Sequence, residues 1–191
     1  MASHRYETRG IVLARAHTGE ANTFLSILTE DLGLVFARAQ ALRKPGAKLA
    51  AALATFAESE LVLVRGKEGW HVAGAVLEEN RFKRLPSPDT RAAAARVSGL
   101  LLRLVAGEAQ DAILFPIVRA FFISLTDVPP EQREAAEMLA VLRILAVLGL
   151  DSGLIPGERP EDFSHRALSE ALEGRAIFVA RINAGIAASG L

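Results

Sequence analysis

A five-stranded β-barrel followed by an all-helical domain, an α+β organisation in two parts, is the fold this sequence predicts. Three observations carry that prediction. Residues 1–80 alternate apolar and polar side chains in short runs separated by turn signals, the texture of strands. Leu85-Pro86-Ser87-Pro88-Asp89 is a two-proline break. Beyond it the apolar residues recur at helical spacing to the end of the chain.

The first strand is predicted over Thr8 to Ala16, around Gly10-Ile11-Val12-Leu13, and His17-Thr18-Gly19-Glu20 is a connection. In Ala21 to Thr29, Phe24, Ser26 and Leu28 alternate with Thr23, Leu25 and Ile27. Asp31-Leu32-Gly33 is a tight turn, and the third strand follows it from Leu34 to Leu42. An alanine-rich helical turn lies near Lys48 to Ala54. The last two strands, Phe56 to Val64 and Trp70 to Leu77, flank the hairpin loop Arg65-Gly66-Lys67-Glu68-Gly69. Five short strands with one helix inserted between the third and fourth are the pattern of an OB-fold, expected here over residues 1–80.

Residues 86–191 are expected to form the helical domain. Asp89 or Ser87 caps a helix over Thr90 to Ala106, with Ala94, Val97, Leu101, Leu104 and Val105 on one side. Asp111 to Thr126 is a second, with Pro116 placing its true start close to Ile113. Pro129-Pro130-Glu131 opens a third, whose stripe Met138, Val141, Leu142, Leu145 and Leu148 runs to Gly149. A loop over residues 151–162 precedes two short helices, about Ser164 to Glu173 and Ala176 to Ala188.

Composition narrows the function. The chain holds 191 residues, of which 51% are hydrophobic and 23% charged, enough apolar material for packed cores. Without cysteine it has no disulfide, thiolate metal site or thiol nucleophile, which fits a reducing cytosol. The first seven residues lack the apolar segment of a secretory signal, and the longest apolar runs are broken by Arg103, Arg119 and Arg143, so no membrane span is expected. The histidines at 4, 17, 71 and 165 share no metal-ligand spacing. Glu134 and Glu137 beside Arg133 are the usual look of a solvated helix face. No nucleophile motif or phosphate-cradling glycine loop is present, so neither an enzyme nor a cofactor is expected.

Charge is more telling. The chain balances 22 basic against 22 acidic residues, yet residues 1–85 carry +3 and residues 86–191 carry −3. Leu32 to Ala57 contains no acidic side chain but includes Arg38, Arg43, Lys44 and Lys48. A local field of one sign in a neutral protein points to an anionic partner, here a nucleic-acid backbone. Arg43, Lys44 and Lys48 occupy a Pro-Gly loop that would present them to phosphates, or else form a solvated loop that keeps the barrel soluble. Arg38 shares its parity with Phe36 and Gln40. Either Phe36 and Arg38 face outward together, as a single strand would need for stacking, or Phe36 is core and Arg38 pairs with Glu58 or Glu60. The favoured assignment gives Arg38 to DNA and Phe36 to the core. Arg65, Lys67 and Trp70 lie on the last hairpin, where OB-folds touch nucleic acid, although Glu68 dilutes the field there and a lone Trp more often packs than stacks. Arg143, surrounded by Leu142, Ile144 and Leu145, either bridges to a carboxylate such as Asp111 or Glu137 or lines a groove for an acidic peptide.

An ordered series of short matches goes further. Thr8-Arg9-Gly10-Ile11-Val12-Leu13, Gly19-Glu20-Ala21 and Leu28-Thr29-Glu30-Asp31-Leu32-Gly33-Leu34-Val35 resemble the amino-terminal domain of the RecO family. So do Ala37-Arg38-Ala39, Leu42-Arg43-Lys44-Pro45, Lys48-Leu49, Leu53, Phe56, Glu60 and Val64-Arg65-Gly66. Leu142 to Leu150 is similar to that family's long helix ending in Leu-Gly. The resemblance covers residues 7–78 well and 90–150 loosely. It implies a cytoplasmic, nucleoid-associated protein of DNA repair and recombination that binds single- and double-stranded DNA, anneals strands and makes or breaks no covalent bond. The implied partners are RecR, the acidic tail of single-stranded DNA-binding protein and, indirectly, RecA. Several departures accompany it. The four-cysteine zinc site of many members is absent, Asn22-Thr23 and Gln40 stand where the family often has Asp followed by a basic residue and a basic residue, and the shorter length implies a trimmed carboxy-terminal region. These departures favour the rival reading, a protein-interaction module of the same fold that has lost useful DNA affinity. A hydrolase or nuclease is a distant third.

Overall fold

The computed structural model describes residues 4–18, 22–40, 49–105 and 111–191. They divide into two compact units: residues 1–84 with 105–115, and residues 85–104 with 116–191.

The first unit is a closed barrel of five strands, β1 (His4–Thr18), β2 (Asn22–Thr29), β3 (Gly33–Gln40), β4 (Ala57–Gly66) and β5 (Gly69–Asn80), in the order β1-β2-β3-β5-β4. All neighbours are antiparallel except β3 and β5, which close the barrel through the parallel pairs Ala37–Trp70 and Arg38–His71. This is the OB-fold, with the short helix α1 (Leu49–Ala52) between β3 and β4. The first strand is longer than its apolar run suggests: it starts at His4 and includes His17 and Thr18, because its first half pairs with β4 and its second half with β2.

Alternation places Leu25, Ile27, Val35, Ala37, Ala39, Leu61, Leu63 and Trp70 inside. Ala37 stands beside Trp70 across the β3–β5 closure, and both are buried. Thr29 clamps the β2–β3 turn, its hydroxyl donating to the Gly33 carbonyl (2.8 Å) and accepting from the Leu32 amide (3.0 Å), while Gly33 takes φ +67°. At the other side of α1, Phe56 adopts φ +63°, a conformation rare for a residue with a side chain. It is held there because its amide donates to the Val12 carbonyl (2.7 Å) and its carbonyl accepts from the Arg81 amide (3.0 Å). Arg81 opens a helical turn absent from the sequence reading, α2 (Arg81–Arg84), and its Nε donates to buried Glu58 at 2.7 Å. Four residues are too short a run to show helical periodicity.

Gly10 sits where the two halves of β1 change partners, opposite Thr29 and Ser59. A Cβ there would lie 2.8 Å from Leu61 Cδ1, 2.9 Å from Ile27 Cγ2 and 3.2 Å from the Leu28 carbonyl oxygen. Gly10→Ala is therefore expected to lower unfolding free energy by about 2 kcal/mol, as overpacking does. Urea titration followed by Trp70 fluorescence measures it.

The second unit is helical: α3 (Pro88–Leu104), α4 (Leu114–Asp127, in this unit from Pro116 on), a 3₁₀ turn over Pro130–Gln132, α5 (Arg133–Val147), α6 (His165–Glu173) and α7 (Arg175–Ala188). Pro116 is the third residue of α4, inside the first turn, where its missing N–H breaks no helical bond. The central helix α5 buries every residue from Met138 to Leu145, Arg143 included, and Gly149 terminates it with φ +72°. Ser164 caps α6 by accepting from the Ala167 amide. No helix among the described residues is long and apolar enough to cross a membrane.

Candidate nucleic-acid interface

The outer face of the barrel follows from the strand registers. Phe24 pairs with Ala16 on one side and with Arg38 on the other. Arg38 lies beside His71, which in turn lies opposite Val64. In the next row Ser26 stands between Ala14 and Phe36. The β2–β3 surface thus carries two aromatic rings at diagonal positions with a guanidinium next to both, flanked on β1 by small alanines that leave the rings accessible.

Phe24 and Phe36 are each 40% exposed. This corrects the assignment of Phe36 to the core. Val35 and Ala37 both turn inward, so the pleat sends Phe36 out, and its hydrophobicity does not overrule the strand parity. Phe24 is a candidate site residue that sequence reasoning misses. Its signal is present in the sequence, since it has the parity of Ser26 and alternates with Leu25 and Ile27.

Arg38 lies over the Phe24 ring, its guanidinium carbon 5.6 Å from the centroid, and its Nη1 donates to Glu68 Oε2 at 3.2 Å. The partners that the sequence suggests for it are engaged elsewhere, Glu58 by Arg81 and Glu60 by Arg9 at 3.4 Å. Glu68 and Lys67 form the two-residue tip of the β4–β5 hairpin between the paired Gly66 and Gly69. Arg65, Lys67 and Glu68 are exposed, and the Arg65 guanidinium lies 5.2 Å from the centroid of buried Trp70. Trp70 packs edge-on against Tyr6, as expected for a packing residue. The structure thus brings Arg38, Arg65 and Lys67 to β3 and the hairpin beside it. Arg43, Lys44 and Lys48 lie outside the described residues.

Arg143 belongs to the helical unit and is 3% exposed. It bridges to neither Asp111 nor Glu137; Arg96 grips Glu137 with two bonds of 2.7 Å. Instead its Nη2 donates to the carbonyls of Pro156 (2.9 Å) and Asp162 (2.6 Å), and its guanidinium lies 4.5 Å from the Phe163 centroid. Burial pushes its pKa down to about 10, so it stays charged at neutral pH. The Asp162 carboxylate accepts from the amides of Ser164 (2.9 Å) and Glu158 (3.1 Å), and these bonds, the Ser164 amide first, hold its pKa below the usual carboxylate range. Arg143 Nη1 is buried without a hydrogen-bond partner, and the residue lines a cavity of about 230 Å³ with Ala146, Val147, Ile155 and Pro156.

Known proteins agree with this architecture. The family described as Recombination protein O N terminal matches residues 1–73. The chain is 30% identical over 177 residues to the DNA repair protein RecO of Gloeobacter violaceus, which covers 91% of this chain. By these matches the chain is similar to RecO proteins over most of its length. It is also 44% identical over 64 residues to the RecO protein of Dehalococcoides mccartyi strain 195, and 29% identical over 151 residues to that of a Synechococcus species. These RecO matches span a quarter of the Dehalococcoides protein, 65% of the Gloeobacter protein and 52% of the Synechococcus protein.

Proposed function

We propose that this chain acts in DNA repair and recombination as a binding protein, not an enzyme, and that the β2–β3 face of its barrel holds single-stranded DNA. The observation that carries the reading is the exposed pair Phe24 and Phe36 beside Arg38 on an OB-fold. Unstacked bases lie on aromatic rings whatever their sequence, and cations alongside take the phosphates. Arg38, Arg65 and Lys67 supply part of that charge, and the sequence places Arg43, Lys44 and Lys48 in the segment that follows β3. Double-stranded DNA would be held more weakly, through its phosphates alone. Annealing follows when one basic surface screens the repulsion between two complementary strands.

Residues 1–80 are the DNA-binding domain in this reading, and residues 86–191 bind partner proteins. RecR and the acidic tail of single-stranded DNA-binding protein are the partners, with RecA loading as the outcome, in the cytoplasm at the nucleoid. Arg143 and the cavity it lines are the candidate seat for the acidic tail. A second reading, an interaction module without useful DNA affinity, draws support from the carboxylate of Glu68 on Arg38.

Fluorescence anisotropy of a labelled single-stranded oligonucleotide at two salt concentrations separates them. Binding that falls steeply with salt, and that Arg43→Ala/Lys44→Ala/Lys48→Ala weakens by about tenfold or more while flattening the salt dependence, is the expected result. Absence of binding even at low salt favours the interaction module.

A further inference from the structure

We infer that Arg38 Nη1 is a phosphate seat already occupied by the protein's own carboxylate, Glu68, which sets the affinity of the face for a single strand. The inference rests on the nucleic-acid reading of that face and identifies one of its contacts.

Glu68 is on a different strand pair from Arg38 and 30 residues away in sequence, yet the parallel closure of β3 on β5 brings its hairpin to the site. The Arg38 side chain is 25% exposed and has little freedom to leave. Its guanidinium is stacked over Phe24, and its Nε is buried. Glu68 is the exposed member of the pair, at 74%. Its oxygen takes, at 3.2 Å, the outward donor that a backbone phosphate would take beside a base stacked on Phe24. An exposed ion pair of this kind is weak, so a phosphate displaces the carboxylate readily. The displaced carboxylate nevertheless stays close. The hairpin has only two residues between Gly66 and Gly69, which remain paired, so Glu68 cannot retreat far and repels the incoming strand. The pair is therefore an affinity brake, and it acts on one donor only. Lys67, its neighbour at the tip, makes no ion pair among the described residues and remains available to phosphate throughout.

The test is a mutant cycle read by anisotropy of labelled oligothymidylate with the full chain. Glu68→Gln keeps the size of the side chain and removes its charge; about five- to tenfold tighter binding is expected. In the Arg38→Ala background the same change is expected to give less than about twofold, because the seat it frees is gone. Glu79→Gln, which neutralises a half-buried carboxylate paired with exposed Arg84 at the far end of β5, controls for the general field and is expected to change affinity by less than twofold. Circular dichroism checks that each variant is folded, and Glu68→Lys provides a second variant should Glu68→Gln be lost. If wild type binds and Phe36→Ala weakens it, but Glu68→Gln is neutral, the brake is wrong and the DNA face stands. A gain that persists without Arg38, or that Glu79→Gln reproduces, also overturns the brake, leaving a nonspecific field. If wild type and both Glu68 variants fail to bind at low salt, the nucleic-acid reading falls and the inference with it.

Discussion

The double substitution Phe24→Ala/Phe36→Ala is expected to weaken single-stranded DNA binding by at least about thirtyfold. Each stacked base contributes about 1–3 kcal/mol, so losing two platforms removes roughly 2–6 kcal/mol, and each 1.4 kcal/mol is tenfold in affinity. The signature distinguishes stacking from charge. Neither ring is charged, so the slope of log affinity against log salt is expected to stay at its wild-type value. Arg38→Ala gives the opposite pattern, a slope shallower by about 0.7 because one phosphate is no longer neutralised. Both rings are 40% exposed on the outer surface, so the double variant is expected to melt close to wild type. A large loss of stability would instead mean that the rings pack against something and are not a binding platform. An unchanged affinity in a stable variant would remove the face from consideration.

Phe36 shows how far the sequence alone reaches. Period-2 alternation in Leu34 to Ala41 names the two faces of β3 but not which one is inside. The small residues on one face and the large one on the other pull the choice in opposite directions. A hydrophobic residue is more often buried, and a narrow barrel is more often filled by alanines. The closed topology decides, because Ala37 is the residue next to Trp70 across the parallel seam. That seam cannot be read locally, since it joins residues 33 apart through only two paired positions. The same seam explains why the sequence does not announce the Arg38–Glu68 pair and points instead to Glu58 and Glu60, on the next strand in chain order.

Elements with their own local signal are legible. Pro116 sets the α4 start, Gly149 the α5 end, and Asp31-Leu32-Gly33 the β2–β3 turn. The first strand is longer than its sequence suggests because His4 to Glu7 alternates no apolar residues strongly; its pairing with β4 supplies the backbone bonds that its side chains do not announce. Arg143 stands out in the sequence as unusual, but the partners it suggests there are carboxylates. The structure satisfies it mainly with carbonyl oxygens, and no pattern in a sequence marks a carbonyl as an acceptor for a particular side chain.

Arg143→Ala is expected to lower the unfolding free energy of the helical unit by about 3 kcal/mol. Truncation leaves the carbonyls of Pro156 and Asp162 without their donor, each costing about 1–3 kcal/mol if it stays buried, and it removes a desolvated cation from the Phe163 face, worth up to about 2 kcal/mol. The offset is that a buried charge no longer has to be desolvated, the same effect that depresses its pKa to about 10. Arg143→Met separates these contributions, because it restores the volume and the apolar packing while supplying no donor. If the two carbonyl bonds dominate, Met recovers only about 1 kcal/mol of the loss. If desolvation dominates, Met matches or exceeds wild type in a chemical-denaturation series. Limited proteolysis gives the local readout: the carbonyls tie residues 156–162 to α5, so cleavage by a glutamate-specific protease after Glu158 or Glu161 is expected to accelerate in both variants even where global stability is regained. Cleavage at the wild-type rate in Arg143→Met would show that Asp162, through its bonds to the Glu158 and Ser164 amides, holds the segment without the guanidinium.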